Sequence, residues 1–98
     1  MTHDRALQIL REHEPDFKAK SVTHLRLFGS VARDEATNTS DVDVMVDFDP
    51  DLTLTLWEMS SVRLDLCDFL STPVDLVREK TLKPHIRERA LREAVLAF

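Results

Sequence analysis

HLRLFGSVARDEATNTSDVDVMVDF, residues 24–48, contains two apolar segments separated by a polar stretch that starts at the only glycine of the chain. The first segment, residues 24–28, stops at Gly29, which predicts a strand followed by a short helix over residues 30–35. In the second segment, residues 41–48, apolar and mostly acidic residues alternate with the period of two that is typical of a strand. The apolar set is Val42, Val44, Val46 and Phe48, and the opposite set is Asp41, Asp43, Met45 and Asp47.

The remaining chain alternates between helical and extended patterns. Apolar residues at helical spacing predict helices over residues 4–14, over residues 54–70, and from Pro84 through the apolar positions Ala97 and Phe98. Pro73 ends the long helix, and the apolar Val74–Val77 segment predicts a third strand. This order favours an α/β or α+β domain in which a small mixed sheet of about three to four strands is covered by helices.

Length and composition restrict the possible functions. Residues 1–98 suffice for a single domain with one hydrophobic core, and no apolar run reaches the roughly 20 residues of a membrane-spanning helix. The chain carries 13 Lys and Arg against 18 Asp and Glu, a net charge of −5, which disfavours direct binding to nucleic acid through a broad basic face. Cys67 is the only cysteine, which excludes disulfide scaffolds and Cys-rich zinc sites. With no signal-peptide pattern at the start, we expect a soluble, cytoplasmic protein without a membrane partner.

Gly29 and Ser30 lie where the first predicted strand turns into a helix. Free backbone amides at a helix start and a serine hydroxyl together form a group that binds phosphate. Ser30 could equally be a simple N-cap, although the usual Glu or Gln partner three residues later is replaced by Arg33. Arg33 is either a further phosphate ligand or an exposed arginine on the helix surface.

Asp41 and Asp43 are two residues apart on a strand, so both side chains point to the same face. Two carboxylates in this arrangement can hold a divalent cation such as Mg²⁺, although acids on a wet sheet face, as Asp47 indicates, are a common alternative. Asp75 interrupts the third apolar strand. If that strand lies beside the second, the three carboxylates converge, and a divalent metal would compensate their repulsion.

The combination of these motifs resembles the nucleotidyltransferase superfamily of the polymerase beta type, and most closely its minimal nucleotidyltransferases. The resemblance is carried by LFGSVAR at residues 27–33, by SDVDVMV at residues 40–46, and by a later strand aspartate, Asp75. The predicted element order extends it over nearly the whole chain. Asp34 departs from the pattern, because these proteins often carry glycine there.

The resemblance implies a two-metal transfer of a nucleoside monophosphate. Asp41 and Asp43 would ligate Mg²⁺, and Asp75 would complete a second metal site or accept a proton. Gly29 and Ser30 would hold the departing phosphates, with Arg33 as a further phosphate contact. These roles make Asp41, Asp43 and Asp75 the expected catalytic residues.

The resemblance also implies a partner and a substrate. Minimal nucleotidyltransferases often act as antitoxins beside an RNase toxin of the HEPN class, and similar proteins transfer AMP from ATP to a toxin tyrosine. We therefore expect a hetero-oligomer with a HEPN-domain protein. Two alternatives stay open: an acidic binding protein that masks the RNase surface without catalysis, and a nucleotidyltransferase that modifies a small molecule, for which the chain lacks an extra acceptor domain.

Overall fold

The computed structural model describes residues 2–33 and 41–98. Its elements, in chain order, are α1 (His3–Glu12), α2 (Glu14–Lys18), β1 (Val22–Phe28), α3 (Gly29–Ala32), β2 (Val42–Phe48), α4 (Leu56–Leu70), β3 (Val74–Val77), a single 3-10 turn (Glu79–Thr81), α5 (Pro84–Glu93) and β4 (Val95–Leu96).

The four strands form one mixed sheet in the order β3-β2-β1-β4. β1 runs antiparallel to both β2 and β4, whereas β2 runs parallel to β3. The mixed sheet with its helices confirms the predicted fold class. The strand over Val74–Val77 has the predicted bounds, and β1 begins two residues earlier than predicted.

One face of the sheet forms the hydrophobic core with α1, α2 and α4. The alternating valines of β2 face this core, and Leu27 of β1 and Val74 of β3 are aligned with two of them. Each buried side chain of this kind stabilises the fold by roughly 1.5–3 kcal/mol relative to an exposed position. The helices contribute Ala6, Leu7, Ile9, Leu10, Phe17, Val62, Leu66 and Leu70. Asp41 and Asp43 are thereby directed to the opposite face.

One helix starts later than predicted, and one helix was not predicted. α4 begins at Leu56, because Thr55 is its extended N-cap and forms a reciprocal capping box with Glu58. The hydrogen bonds from the Thr55 side chain and the backbone lower the pKa of the Glu58 carboxyl. Pro15 does not simply end the first helix. It lies in the first turn of the unpredicted α2, where its missing N–H costs no helical hydrogen bond.

The predicted helix from Pro84 to the end of the apolar pattern is too long. α5 stops at Glu93, Ala94 is extended, and residues 95–96 pair with β1 as β4. The Ala97 amide donates to the Leu25 carbonyl at 2.8 Å, and the Arg11 guanidinium donates to the carbonyls of Ala97 and Leu96. These contacts satisfy an otherwise unpaired edge of β1, so sheet pairing outweighs the local helical spacing.

No helix within residues 2–33 and 41–98 combines the length and the apolar character needed to cross a bilayer.

Candidate functional site

The parallel pairing of β2 with β3 brings two of the predicted site residues together. Asp43 is aligned with Asp75, and neighbouring strands lie about 4.8 Å apart, so the two side chains are adjacent on one face of the sheet. Asp41 immediately precedes β2 and is exposed, as is Asp75, while Asp43 is half-buried. The expected juxtaposition of Asp43 and Asp75 is therefore present, and Asp41 is placed on the same face by the alternation along the strand.

The negative charges of Asp41, Asp43 and Asp75 are not balanced by the nearby Arg33. Burial raises the pKa of the Asp43 carboxyl, and the neighbouring charges of Asp75 and Asp41 raise it further. The Arg33 guanidinium acts in the opposite direction and lowers the pKa of Asp43, but by less. A cation bound here would reduce this repulsion.

Gly29 is required beside this cluster for two separate reasons. Its φ of +69° lies in the left-handed region, which favours glycine. A Cβ at this position would also overlap Asp43 Oδ2 and lie 3.1 Å from its Cγ. The absence of a side chain therefore lets the backbone at the start of α3 approach the Asp43 carboxylate.

Ser30 is the second residue of α3 and is half-buried. The N-cap position of this helix is occupied by Phe28, whose side chain makes no capping hydrogen bond. The alternative in which Ser30 serves only as the N-cap is therefore wrong. Ser30 follows Gly29 directly and so lies next to the acidic cluster.

Arg33 ends α3 and contacts a residue that the sequence patterns did not indicate. Its Nη1 lies 2.9 Å from Oε2 of Glu93, the last residue of α5. From the sequence, Glu93 is one of several charged residues on an exposed helix, and nothing links it to Arg33 across 60 positions. Asp34, Glu35 and Ser40, which belong to the predicted short helix and motif, lie outside the described residues.

The carboxylates offer the hard oxygen ligands that Mg²⁺ prefers. Within the described part of the chain, no three His, Cys, Asp or Glu side chains are arranged to hold a metal ion by themselves. Mg²⁺ usually takes one or two protein carboxylates and completes its shell with waters and substrate phosphates. The pair formed by Asp43 with Asp41 or Asp75 fits that requirement in donor type and charge.

Similar proteins place this arrangement in a family. The nucleotidyltransferase domain model matches residues 4–97. The protein adenylyltransferase MntA of Thermococcus cleftensis is 33% identical over 96 residues, which is 97% of this chain and 95% of that protein. A solved structure described as an inferred minimal nucleotidyltransferase is 38% identical, covers 97% of this chain and 95% of its own, and superposes with a TM-score of 0.79.

A more distant solved structure shares the fold alone. A chain from the complex of a tri-AMPylated HEPN toxin with an MNT antitoxin, from Shewanella oneidensis, is 17% identical and has a TM-score of 0.65. That match covers 94% of this chain and 71% of the other. The domain match across residues 4–97, together with the close relatives, shows that this chain belongs to the nucleotidyltransferase family and is a minimal nucleotidyltransferase.

Proposed function

We propose that this protein is a Mg²⁺-dependent antitoxin that transfers AMP from ATP to a tyrosine hydroxyl of a HEPN-type RNase toxin and thereby neutralises it. The observation that supports this most is the alignment of Asp43 with Asp75 beside Gly29, with Asp41 close enough to raise the pKa of Asp43. Adjacent carboxylates repel one another and destabilise the fold, and a protein that only binds a partner through its surface does not need them side by side.

Asp41, Asp43 and Asp75 are the residues that would hold Mg²⁺, and two ions are expected. When bound, Mg²⁺ would neutralise the phosphates of the nucleotide and lower the pKa of the attacking hydroxyl. Asp43 is central, because it is aligned with Asp75 and lies on the same face as Asp41. Asp75, which is exposed, either contributes to the second ion or accepts the tyrosine proton.

The chain's own groups position the nucleotide. The backbone at Gly29 can approach a phosphate closely because no Cβ is present, and Ser30 supplies a hydroxyl next to it. The tyrosine oxygen attacks the α-phosphorus in line and forms a P–O bond as the bond to the β-phosphate oxygen breaks. The products are the AMP ester of the tyrosine and pyrophosphate.

A protein acceptor agrees with the surface of the molecule. The net charge of −5 disfavours a nucleic-acid acceptor, and the MntA relative is named as a protein adenylyltransferase. Trp57 and Leu64 lie seven positions apart on the same side of α4, and both are exposed. Exposed apolar side chains that share a helix face are typical of protein interfaces. We therefore expect a stable hetero-oligomer with the HEPN protein.

A second candidate function is a non-catalytic binding antitoxin. The acidic turn at Asp47, Asp49 and Asp51 and the overall negative charge could mask a basic RNase surface by charge complementarity. This alternative does not require the Gly29 and Asp43 geometry, so variants of the acidic cluster separate the two functions.

The deciding experiment measures the intact mass of a candidate HEPN-domain partner. The HEPN partner is incubated with this nucleotidyltransferase, Mg²⁺ and each common nucleoside triphosphate. A parallel incubation uses the Asp41→Asn, Asp43→Asn double variant in place of the wild type. We expect a gain in whole nucleoside-monophosphate units with ATP, and none with the variant. A stable complex that silences the RNase with no mass gain would instead support the binding antitoxin.

A further inference from the structure

Glu93 uses both carboxylate oxygens to bind arginines. Oε2 lies 2.9 Å from Arg33 Nη1, and Oε1 lies 3.4 Å from Nε of Arg89 in the same helix. The Glu93 side chain retains 28% of its accessible surface and that of Arg33 retains 38%, so the pair is partly shielded from water. Glu93 therefore links the end of α5 to the end of α3.

Glu93 is the last residue of α5, where a carboxylate is unfavourable unless a positive charge balances it. A negative charge in the last turn of a helix interacts unfavourably with the helix dipole. α5 has few other contacts that orient it: Ala90 is its only buried residue, its start at Pro84 lacks a side-chain cap, and an ion pair between Arg87 and Glu79 holds its first half. Ile86 and Leu91 of the same helix are exposed. The ion pair with Arg33 compensates the local cost and fixes the end of the helix against α3.

The same contact restrains the Arg33 guanidinium. Long arginine side chains have many rotamers, and an exposed one spends little time in any single position. Glu93 restrains Arg33 directly after α3, the one-turn helix whose first residue, Gly29, lies against the Asp43 carboxylate. A guanidinium binds carboxylate and phosphate oxygens in the same manner, so a group held by Glu93 is also arranged to receive a phosphate.

We propose that Glu93 is a positioning residue, which holds Arg33 beside the Asp43 cluster so that its guanidinium is available to the phosphates of the incoming nucleotide. This inference rests on the proposed function and adds a role for α5 in it. A guanidinium has five N–H donors, so Arg33 can bind a phosphate while its Nη1 keeps the contact with Glu93. Glu93 itself does not touch the reacting atoms.

The test is a double-mutant cycle between Arg33→Ala and Glu93→Ala, with AMP transfer to the HEPN protein measured at varied ATP concentration. We expect Glu93→Ala to raise the KM for ATP by about two- to fivefold with little change in kcat, the range for losing one partly exposed ion pair. Glu93→Gln keeps a hydrogen-bond acceptor and should restore part of the wild-type KM. In the Arg33→Ala background, Glu93→Ala should have no further effect on KM.

Glu88→Ala is the matched control, since it removes the same charge from an exposed position of the same helix. It should leave the KM for ATP unchanged. If Glu88→Ala raised the KM as much as Glu93→Ala does, the change in net charge would explain both effects, and the inference would be overturned. If the wild-type protein transfers AMP but Glu93→Ala has the wild-type KM for ATP, the inference is overturned and the proposed function is not. Additive effects in the cycle would also overturn it. A wild-type protein that transfers nothing would overturn the proposed function and this inference with it.

Discussion

Asp43 and Asp47 lie on the same face of the same strand, yet their surroundings are opposite. Asp47 Oδ2 lies 2.6 Å from Nη1 of Arg26 on the adjacent β1, so its charge is balanced within the chain. Asp43 is half-buried next to Asp75 and Asp41, and the nearby Arg33 is itself bound to Glu93. The charge of Asp47 is therefore neutralised by an arginine of the same sheet, whereas the negative charge around Asp43 remains for a bound ligand to neutralise.

The strongest test of this difference compares two single variants on one strand. We expect Asp43→Asn to reduce AMP transfer on the order of 10³-fold, the size of effect seen when a group that stabilises transition-state charge is removed. Asp47→Asn removes the same charge from the same face and should retain most of the transfer. Both are measured as intact mass of the HEPN partner after fixed incubation times. Equal activity of the two variants would show that the Asp43 cluster has no special role.

Asp75→Asn should have the next largest effect. Loss of a proton acceptor or of one metal ligand is expected to slow transfer by about 10²-fold. The measurement is the initial rate as a function of Mg²⁺ concentration, because loss of a ligand also shifts the Mg²⁺ dependence, whereas loss of a base does not. If both rate and Mg²⁺ dependence match the wild type, the third carboxylate has been assigned to the wrong residue.

Gly29→Ala tests how closely the backbone approaches Asp43. The substitution forces a Cβ into the Asp43 carboxylate and strains a left-handed residue, and we expect a loss of about 1–3 kcal/mol in the free energy of unfolding. Chemical denaturation measures the loss. The same substitution in an Asp43→Ala background should cost less, because the overlap with the carboxylate is removed and only the backbone strain and a 3.3 Å contact with the Cβ of residue 43 remain. Equal costs in both backgrounds would exclude the steric contribution of Asp43.

The smallest expected effect concerns stability without ligand. A raised pKa means that the folded state holds the Asp43 proton more tightly than the unfolded state, so ionised Asp43 reduces stability above its folded pKa. Asp43→Asn should therefore raise the thermal midpoint at pH 7, and this gain should disappear as the pH falls below the pKa of an unfolded aspartate. Asp47→Asn should lower the midpoint at pH 7, since Arg26 loses its partner. Thermal scans across pH without Mg²⁺ or nucleotide decide whether the two shifts have opposite signs.

The features of the fold and site that could be predicted are those encoded in short stretches of sequence. The alternation in β2 placed its valines in the core and Asp43 on the other face, and Gly29 stood out as the single glycine. The capping box between Thr55 and Glu58 was also readable as a threonine with a glutamate three residues later. It would have placed the start of α4 correctly.

The features that could not be predicted depend on partners distant in sequence. Residues 95–98 have helical spacing, and only the open edge of β1 makes them a strand. Glu93 belongs to no sequence motif. Its proposed role in positioning Arg33 follows from a contact that exists only after α3 and α5 are packed together. Local patterns identified the acids that meet on the sheet, but they could not identify the residue that orients their neighbouring arginine.

The position of β4 has a consequence for how the protein forms during translation. Arg26 and Leu27 of β1 pair with Leu96 and Val95 of β4, so this edge of β1 can be paired only after nearly the whole described chain has been synthesised. β1, β2 and β3 can pair earlier, and with them Asp43 and Asp75. The pairing of Asp43 with Asp75 therefore requires the chain only as far as Val77, whereas the contact that holds Arg33 also requires α5 as far as Glu93.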